Sequence, residues 1–408
     1  MQKLGGSFLE KVLTLDPGHR GPQVPCAQGH DAAFVAYRTK TVDTVLGPVQ
    51  LRRAWYHCAS CGHGLAPRDQ ELDVAGSLSP GLRRMVTRVG SQEPFAQGAR
   101  DLAELAGIRL TAKRVERSAE ATGARARVAA EAEADALLSD RLVPLALAAP
   151  PPRLYVTVDG TGVPTIPRET LGRRGKGTDG KAHTRELKLG CLFSQSTVDD
   201  QGRPVRDPDS SSYIATFEPV ERFGALVYAE ARRRGVDGAG QVVVLGDGAF
   251  WIWNLAGEHF PRAIEIVDLY HAREHLAALS RLDSLTIPDP AAWLAARTAE
   301  LDGGKVEAIL EAVTTLPGSN TDEVRKALGY FETNQERMRY GRFRAAGLFV
   351  GSGAVEAGGK AVVHQRMKLS GMRWSLRGAT GIVSLRCLAA SGRWEDIWKW
   401  LHSQTLSA

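Results

Sequence analysis

The chain alternates between stretches with strand periodicity and stretches with helix periodicity. After a turn-rich start come two β-like runs, AAFVAYRTKTV and GPVQLRRAWYHC, the second alternating roughly apolar and polar from Val49 to Tyr56. Residues 80–135 read as helical: Leu102, Leu105 and Ala106 fall on one face, Gly107 ends that helix and Thr111 caps the next, a short basic segment, KRVERSAEATGARAR. Two helices joined through a glycine turn fit a helix-turn-helix, and equally any helical domain. The proline-rich stretch 144–153 cannot continue a helix and marks a boundary.

Beyond it RLYVTVDGTG, ELKLGCLFS and SSYIATFE predict three strands, followed by a helix (ERFGALVYAEARRRG), a buried strand (QVVVLGDG), a helix (WIWNLAGEHF) and a strand (AIEIVDLY). The order β-β-β-α-β-α-β sets parallel strands after antiparallel ones, the order of an α/β, RNase H-like domain with a mixed sheet. Residues 280–345 read as a polar helical insertion broken by Pro288, Pro290 and Pro317. The expected division is a zinc-ribbon-like module over 1–78, a helical DNA-binding segment over 79–143, a linker over 144–153, and the α/β domain over 154–408.

Composition sharpens this only modestly. With 408 residues, 43% of them hydrophobic, the chain has material for several cores. A net charge of +6 and a pI of about 9.1 favour a polyanionic partner. The first twenty residues carry charges throughout and hold no long apolar run, so neither a signal peptide nor a membrane span is expected, and a soluble intracellular protein is.

Chemistry concentrates at strand ends. LYVTVDG sets Asp159 before Gly160, and VVVLGDG sets Asp247 before Gly248. On adjacent parallel strands two such carboxylates repel unless a proton or a cation sits between them, and hard cations such as Mg²⁺ or Mn²⁺ take oxygen ligands. Each Asp equally suits a cap of the turn that follows. A third acid, Glu356, lies in the small-residue segment GSGAVEAGGK.

Four soft ligands form two knuckles: Cys26 and His30, then Cys58 and Cys61. They suit a structural Zn²⁺ site, with His57 or His63 as substitutes for His30. His271-Ala-Arg-Glu274-His275 also fits the H-x-x-E-H pattern of inverted zinc proteases, which would make the chain a metallohydrolase. Cys191 and Cys387 read as core residues.

Two basic runs stand out as DNA contacts. One is Arg173, Arg174, Lys176, Lys181, Arg185 and Lys188; the other includes Lys360, Arg366, Lys368 and Arg373, with Trp374 interleaved as a stacking platform.

DGTGVP at 159–164, GDGAFWIWN at 246–254, DLYHAREHL at 268–276, GSGAVEAGGK at 351–360 and SGMRWS at 370–375, taken in order, resemble the ISKra group of bacterial insertion-sequence transposases, distantly similar to Mutator-type enzymes. The resemblance implies an RNase H-like DDE transposase that binds transposon ends and cuts and joins double-stranded DNA with Mg²⁺ or Mn²⁺. It implies Asp159, Asp247 and Glu356 as catalytic metal ligands, Asp268 and His271 as a supporting pair, a homo-oligomer, and a place in the bacterial cytoplasm near the nucleoid. A catalytically silent DNA-binding descendant would keep the knuckles and basic runs without needing all three acids.

Overall fold

A computed structural model of the chain describes residues 2–74, 76–143, 150–175 and 178–406. The chain divides into two compact units. The first comprises residues up to 129 with 377–386 and 393–408; the second comprises 130–376 with 387–392. This differs from the expected unbroken 154–408 domain. Part of the reason is a close helix crossing inside the first unit: a Cβ placed on Gly123 would lie 2.2 Å from the carbonyl oxygen of Gly381. Only glycine lets the two backbones approach so near, and that contact joins residues 377–386 of the helix Leu376–Ala390 to the rest of the first unit.

The first unit carries an antiparallel sheet in the order β1-β2-β3-β4 (Gln23–Pro25, Asp31–Thr44, Gly47–Cys58, His63–Leu65). Val42, Val49 and Leu51 bury one end of it under Leu9 and Leu13 of an N-terminal helix, Gln2–Thr14. Val24, Ala32, Ala54 and Tyr56 bury the other end around Cys58. Helices Pro80–Gln92 and Phe95–Ala106 pack through Leu82, Val86 and Leu102 onto Val115 of a third helix. Gly107 closes the second in the left-handed conformation expected of it, and the Thr111 hydroxyl accepts from the Arg114 N–H at 3.2 Å. The third helix is not short: it runs from Ala112 to Leu138.

The second unit is mixed α/β. Its five-stranded sheet has the order β11-β10-β5-β6-β9 (Ile264–Val267, Gln241–Gly246, Arg153–Pro164, Thr184–Gln195, Ser212–Thr216); a small hairpin, β7 and β8 (Thr197–Val198, Pro204–Val205), stands apart. β5, β10 and β11 are parallel, while β6 and β9 pair antiparallel. All of Leu154–Val158 in β5 is buried, as befits a central strand covered on both faces. The insertion holds helices Pro290–Asp302, Val306–Thr314, Asp322–Asn334 and Tyr340–Ala345, with Pro290 at a helix N-terminus where its missing N–H does no harm. Among the described residues, no helix is long and apolar enough to cross a membrane.

Candidate functional site

Strand register builds the site. Tyr155 pairs with Val243 and Thr157 with Leu245, so two residues further on Asp159 and Asp247 point to the same face. Leu245 pairs with Ile266, and the next step of two brings Asp268 into the same row. Three aspartates from three adjacent parallel strands thus stand side by side, where β10 and β11 end. Asp159 itself is not at a strand end, as the sequence suggested: β5 runs on to Pro164 against β6 alone. It sits where the parallel pairing stops, which opens the same crevice.

The three carboxylates differ in their surroundings. Burial raises the Asp159 proton affinity; its own bond from the Gly160 N–H (2.7 Å) opposes this, the Asp247 charge adds to it, and His271 and Lys368 counter it. Asp247 accepts the N–H of Ala249 at 2.8 Å, and its carbonyl accepts the Tyr330 hydroxyl at 2.9 Å. Gly248 turns there with a φ of 96°, and a side chain at that position would strike the Tyr330 ring. Asp268 is fully buried and caps helix Leu269–Leu279 by accepting the His271 N–H at 2.9 Å; its other oxygen accepts the Ser352 N–H. Burial alone would raise its proton affinity, but these bonds outweigh it and hold the carboxyl low.

His271 Nδ1 faces Asp268 at 3.4 Å, an ion-pair distance rather than a well-formed hydrogen bond. The Asp268 carboxylate, helped by Asp247 and Glu274, raises the imidazole to about 9. His275 stacks flat on Tyr330 with ring centres 3.7 Å apart, and burial lowers its proton affinity.

Glu356 lies exposed on the short helix Gly353–Gly358, its carboxylate 3.3 Å from the Ser352 hydroxyl. It is tied to the aspartate row through Ser352 and Asp268. The three acids singled out in the sequence do not close into one ligand cluster: among the described residues, the one set of three or more metal-ligand atoms within 4.8 Å is Cys26, His30, Cys58 and Cys61.

That set is a second site. The knuckles are shaped by turns in which the Gly29 N–H donates to the Cys26 carbonyl and the Gly62 N–H to the Cys58 carbonyl, each at 2.9 Å. His30 Nδ1 stands 3.1 Å from Cys61 Sγ, and the Cys26 and Cys61 sulfurs are 3.7 Å apart. Backbone N–H groups, Gln28's foremost, hold the Cys26 thiol down at about 7, while burial pushes Cys61 up to about 11. A metal ion such as zinc fits these four ligands; His57 and His63 are not in the cluster.

The basic residues divide. Arg173, Arg174, Lys181, Lys360 and Arg373 are exposed, while Lys176 lies outside the described residues. Arg185 and Lys188 belong to β6. The Arg185 guanidinium bonds the Glu169 carbonyl, and the Lys188 ammonium bonds Glu186 and the Glu218 carbonyl. Lys368 donates to the Thr161 hydroxyl at 2.6 Å and carries its charge next to Asp159. Arg366 and Trp374 correct the sequence reading. Arg366 is 0% exposed and stacks 4.8 Å from the Trp374 ring, which is 3% exposed and donates to the Met367 carbonyl at 3.1 Å. Packed together in this way they form an internal brace and offer nothing to a DNA strand. Cys191 and Cys387 are core residues, as expected, and Trp253 is buried as well.

No protein-family model matches the chain, and no curated protein is significantly similar to it.

Proposed function

We propose that the chain is a DNA transposase with an RNase H-like catalytic unit. The observation that carries this reading is the row of Asp159, Asp247 and Asp268 across three parallel strands, with burial first and the Asp247 charge second raising the proton affinity of Asp159. A carboxylate pair strained in this way is relieved by a divalent cation. The strand order supports the same reading: three antiparallel strands, β5, β6 and β9, continue on the other side of β5 into two parallel ones.

Asp159 and Asp247 are the fitting ligands for Mg²⁺ or Mn²⁺, and Glu356 is the third acid that the family resemblance offers. Bound there, the ion would sharpen a water or a DNA 3′-hydroxyl as nucleophile and stabilise the departing oxygen. The protein's own groups do the rest. Asp268 fixes the start of helix Leu269–Leu279 and keeps His271 protonated, a cation facing the incoming phosphate. Lys368, anchored on Thr161, sets a second positive charge beside Asp159. Arg173, Arg174, Lys181, Lys360 and Arg373 neutralise phosphates further out. The Cys26, His30, Cys58 and Cys61 cluster holds a structural Zn²⁺ that stiffens the ribbon. Double-stranded DNA is the partner, and the protein works as a homo-oligomer in the bacterial cytoplasm, near the nucleoid.

The metallohydrolase reading fares worse. Among the described residues His271, Glu274 and His275 form no ligand cluster, and His275 is stacked flat on Tyr330.

Supercoiled plasmid nicking in Mg²⁺ or Mn²⁺ is the test. Asp159→Asn and Asp247→Asn should each reduce nicking by two orders of magnitude or more while DNA binding, followed by fluorescence anisotropy, persists. Wild-type protein that binds DNA but never nicks it would favour the silent descendant. Nicking that survives both substitutions would reject the site.

A further inference from the structure

Between β5 and β6 the chain makes a finger whose base is braced on several sides. The Ile166 N–H donates to the Trp374 carbonyl at 2.9 Å, and the Trp374 N–H to the Pro164 carbonyl at 3.1 Å. The Arg185 guanidinium holds the Glu169 carbonyl at 3.1 Å, and the Leu376 N–H donates to the Glu169 carboxylate at 3.3 Å. Thr170 is buried, and its carbonyl accepts the Arg173 N–H at 3.0 Å, closing a turn in which Gly172 takes a φ of 73°. Past the turn a short ladder forms: the Ala182 N–H donates to the Arg173 carbonyl and the Gly175 N–H to the Gly180 carbonyl. On this fixed turn stands Leu171, 86% exposed. A lone bare leucine is ordinary; its company is not. Arg168, Arg173, Arg174 and Lys181 are all exposed, and the last three make no ion pair among the described residues. Asp179, the acid beside them, is already engaged by His183 Nε2 at 2.8 Å and by the Lys181 N–H.

We infer that this finger is a DNA wedge: Leu171 enters the base stack of a duplex and unstacks one step, while Arg168, Arg173, Arg174 and Lys181 hold the phosphates. The cations call for a polyanion, and the leucine calls for an apolar surface within reach of the same charges. Duplex DNA offers both, with phosphates outside and base faces between. An anionic lipid surface also offers both, but one leucine is far less apolar chain than stable membrane anchoring requires. Bracing matters because a wedge works only if it yields less than the stack it parts, and unstacking is costly. The inference rests on DNA being the partner, as proposed above. It uses neither Asp159 nor Asp247, so the wedge and the nuclease stand or fall separately.

The test uses the full chain in buffer free of Mg²⁺ and Mn²⁺, so that nothing is cut. The probes are two duplexes with 2-aminopurine at the centre, one fully paired and one with a mismatch beside the 2-aminopurine, where unstacking is easier. Wild type should bind the mismatched duplex about fivefold more tightly and raise its fluorescence. Leu171→Ala should bind the paired duplex within about twofold of wild type but lose both the preference and the fluorescence rise. Leu171 is exposed, so the fold should survive, which circular dichroism checks. The double variant Arg173→Ala/Arg174→Ala should instead weaken both duplexes alike and flatten the salt dependence. Asp159→Asn should behave as wild type. A protein that unstacks the probe but never nicks plasmid keeps the wedge and loses the nuclease; one that nicks without unstacking does the reverse. The inference is overturned by wild type that fails to bind either duplex or binds both equally without a fluorescence rise, and by Leu171→Ala indistinguishable from wild type. Binding to phosphatidylserine vesicles that Leu171→Ala abolishes, with no unstacking of the duplex, overturns it too.

Discussion

Asp268→Asn isolates the group that organises the aspartate row. In the wild type one Asp268 oxygen accepts the His271 N–H and the other the Ser352 N–H, with the His271 ring 3.4 Å away. An asparagine offers one oxygen and one NH₂, so one buried backbone N–H then faces another donor, at a cost of about 2 kcal/mol. The charge loss adds a pH-dependent part. His271 titrates at about 9 against its ordinary 6.5, and a shift of that size is worth about 3 kcal/mol if nothing screens it. The imidazole is 38% exposed, and solvent screening cuts the contribution to about 1 kcal/mol. Because the folded state raises the imidazole's affinity for its proton, this stabilisation is complete below pH 6.5 and is lost as the pH climbs through 9. Asp268→Asn should therefore cost about 3 kcal/mol at pH 6 and about 2 kcal/mol at pH 10. Urea denaturation of both proteins in magnesium- and manganese-free buffer reads the difference, and histidine-selective NMR reads the imidazole directly. A wild-type His271 titrating near 6.5, or a penalty identical at the two pH values, would refute the reasoning.

Three further outcomes follow from single contacts. Tyr330→Phe keeps the ring on His275 but leaves the Asp247 carbonyl without its donor; Mn²⁺ affinity measured by calorimetry should fall about fivefold, the equivalent of one lost hydrogen bond, and unchanged affinity would remove Tyr330 from the site. Gly123→Ala drives a methyl group into the Gly381 carbonyl, so despite alanine's better helix propensity it should lose roughly 1–3 kcal/mol in thermal denaturation; a stabilised variant would mean that the crossing is looser than drawn. Elemental analysis should find one zinc per chain in the wild type and none in Cys58→Ser, whose ribbon should unfold, whereas full zinc content in that variant would move the ligand set elsewhere.

The sequence made the second unit's sheet readable because its strands carry apolar runs, and Asp159 and Asp247 could be found because each directly follows such a run, although β5 itself continues past Asp159 to Pro164. The Cys26, His30, Cys58 and Cys61 knuckles were equally plain from spacing. Other features were hidden for physical reasons. Arg366 and Trp374 looked like DNA contacts because nothing local in a sequence tells a guanidinium stacked inside from one facing solvent. The helix Gln2–Thr14 escaped notice because its apolar residues occupy two opposite faces and blur the period of 3.6, with Gly5 and Gly6 lowering its propensity. Glu356 was singled out by its motif, but the π-helical turn that follows its helix, Gly359–His364, is announced by no simple periodicity. The return of the chain's end to the first unit rests on Gly123 and Gly381, positions 258 residues apart that no local pattern joins.

The claim that bears the most weight is that Asp159 and Asp247 hold one divalent cation between them. Calorimetric titration of Mn²⁺ into the zinc-loaded protein addresses it directly, with Asp159→Asn, Asp247→Asn and the exposed-surface control Arg373→Ala run alongside. The account predicts saturable binding by wild type and control, and its loss in both aspartate variants. Equal Mn²⁺ binding by all four proteins would contradict it.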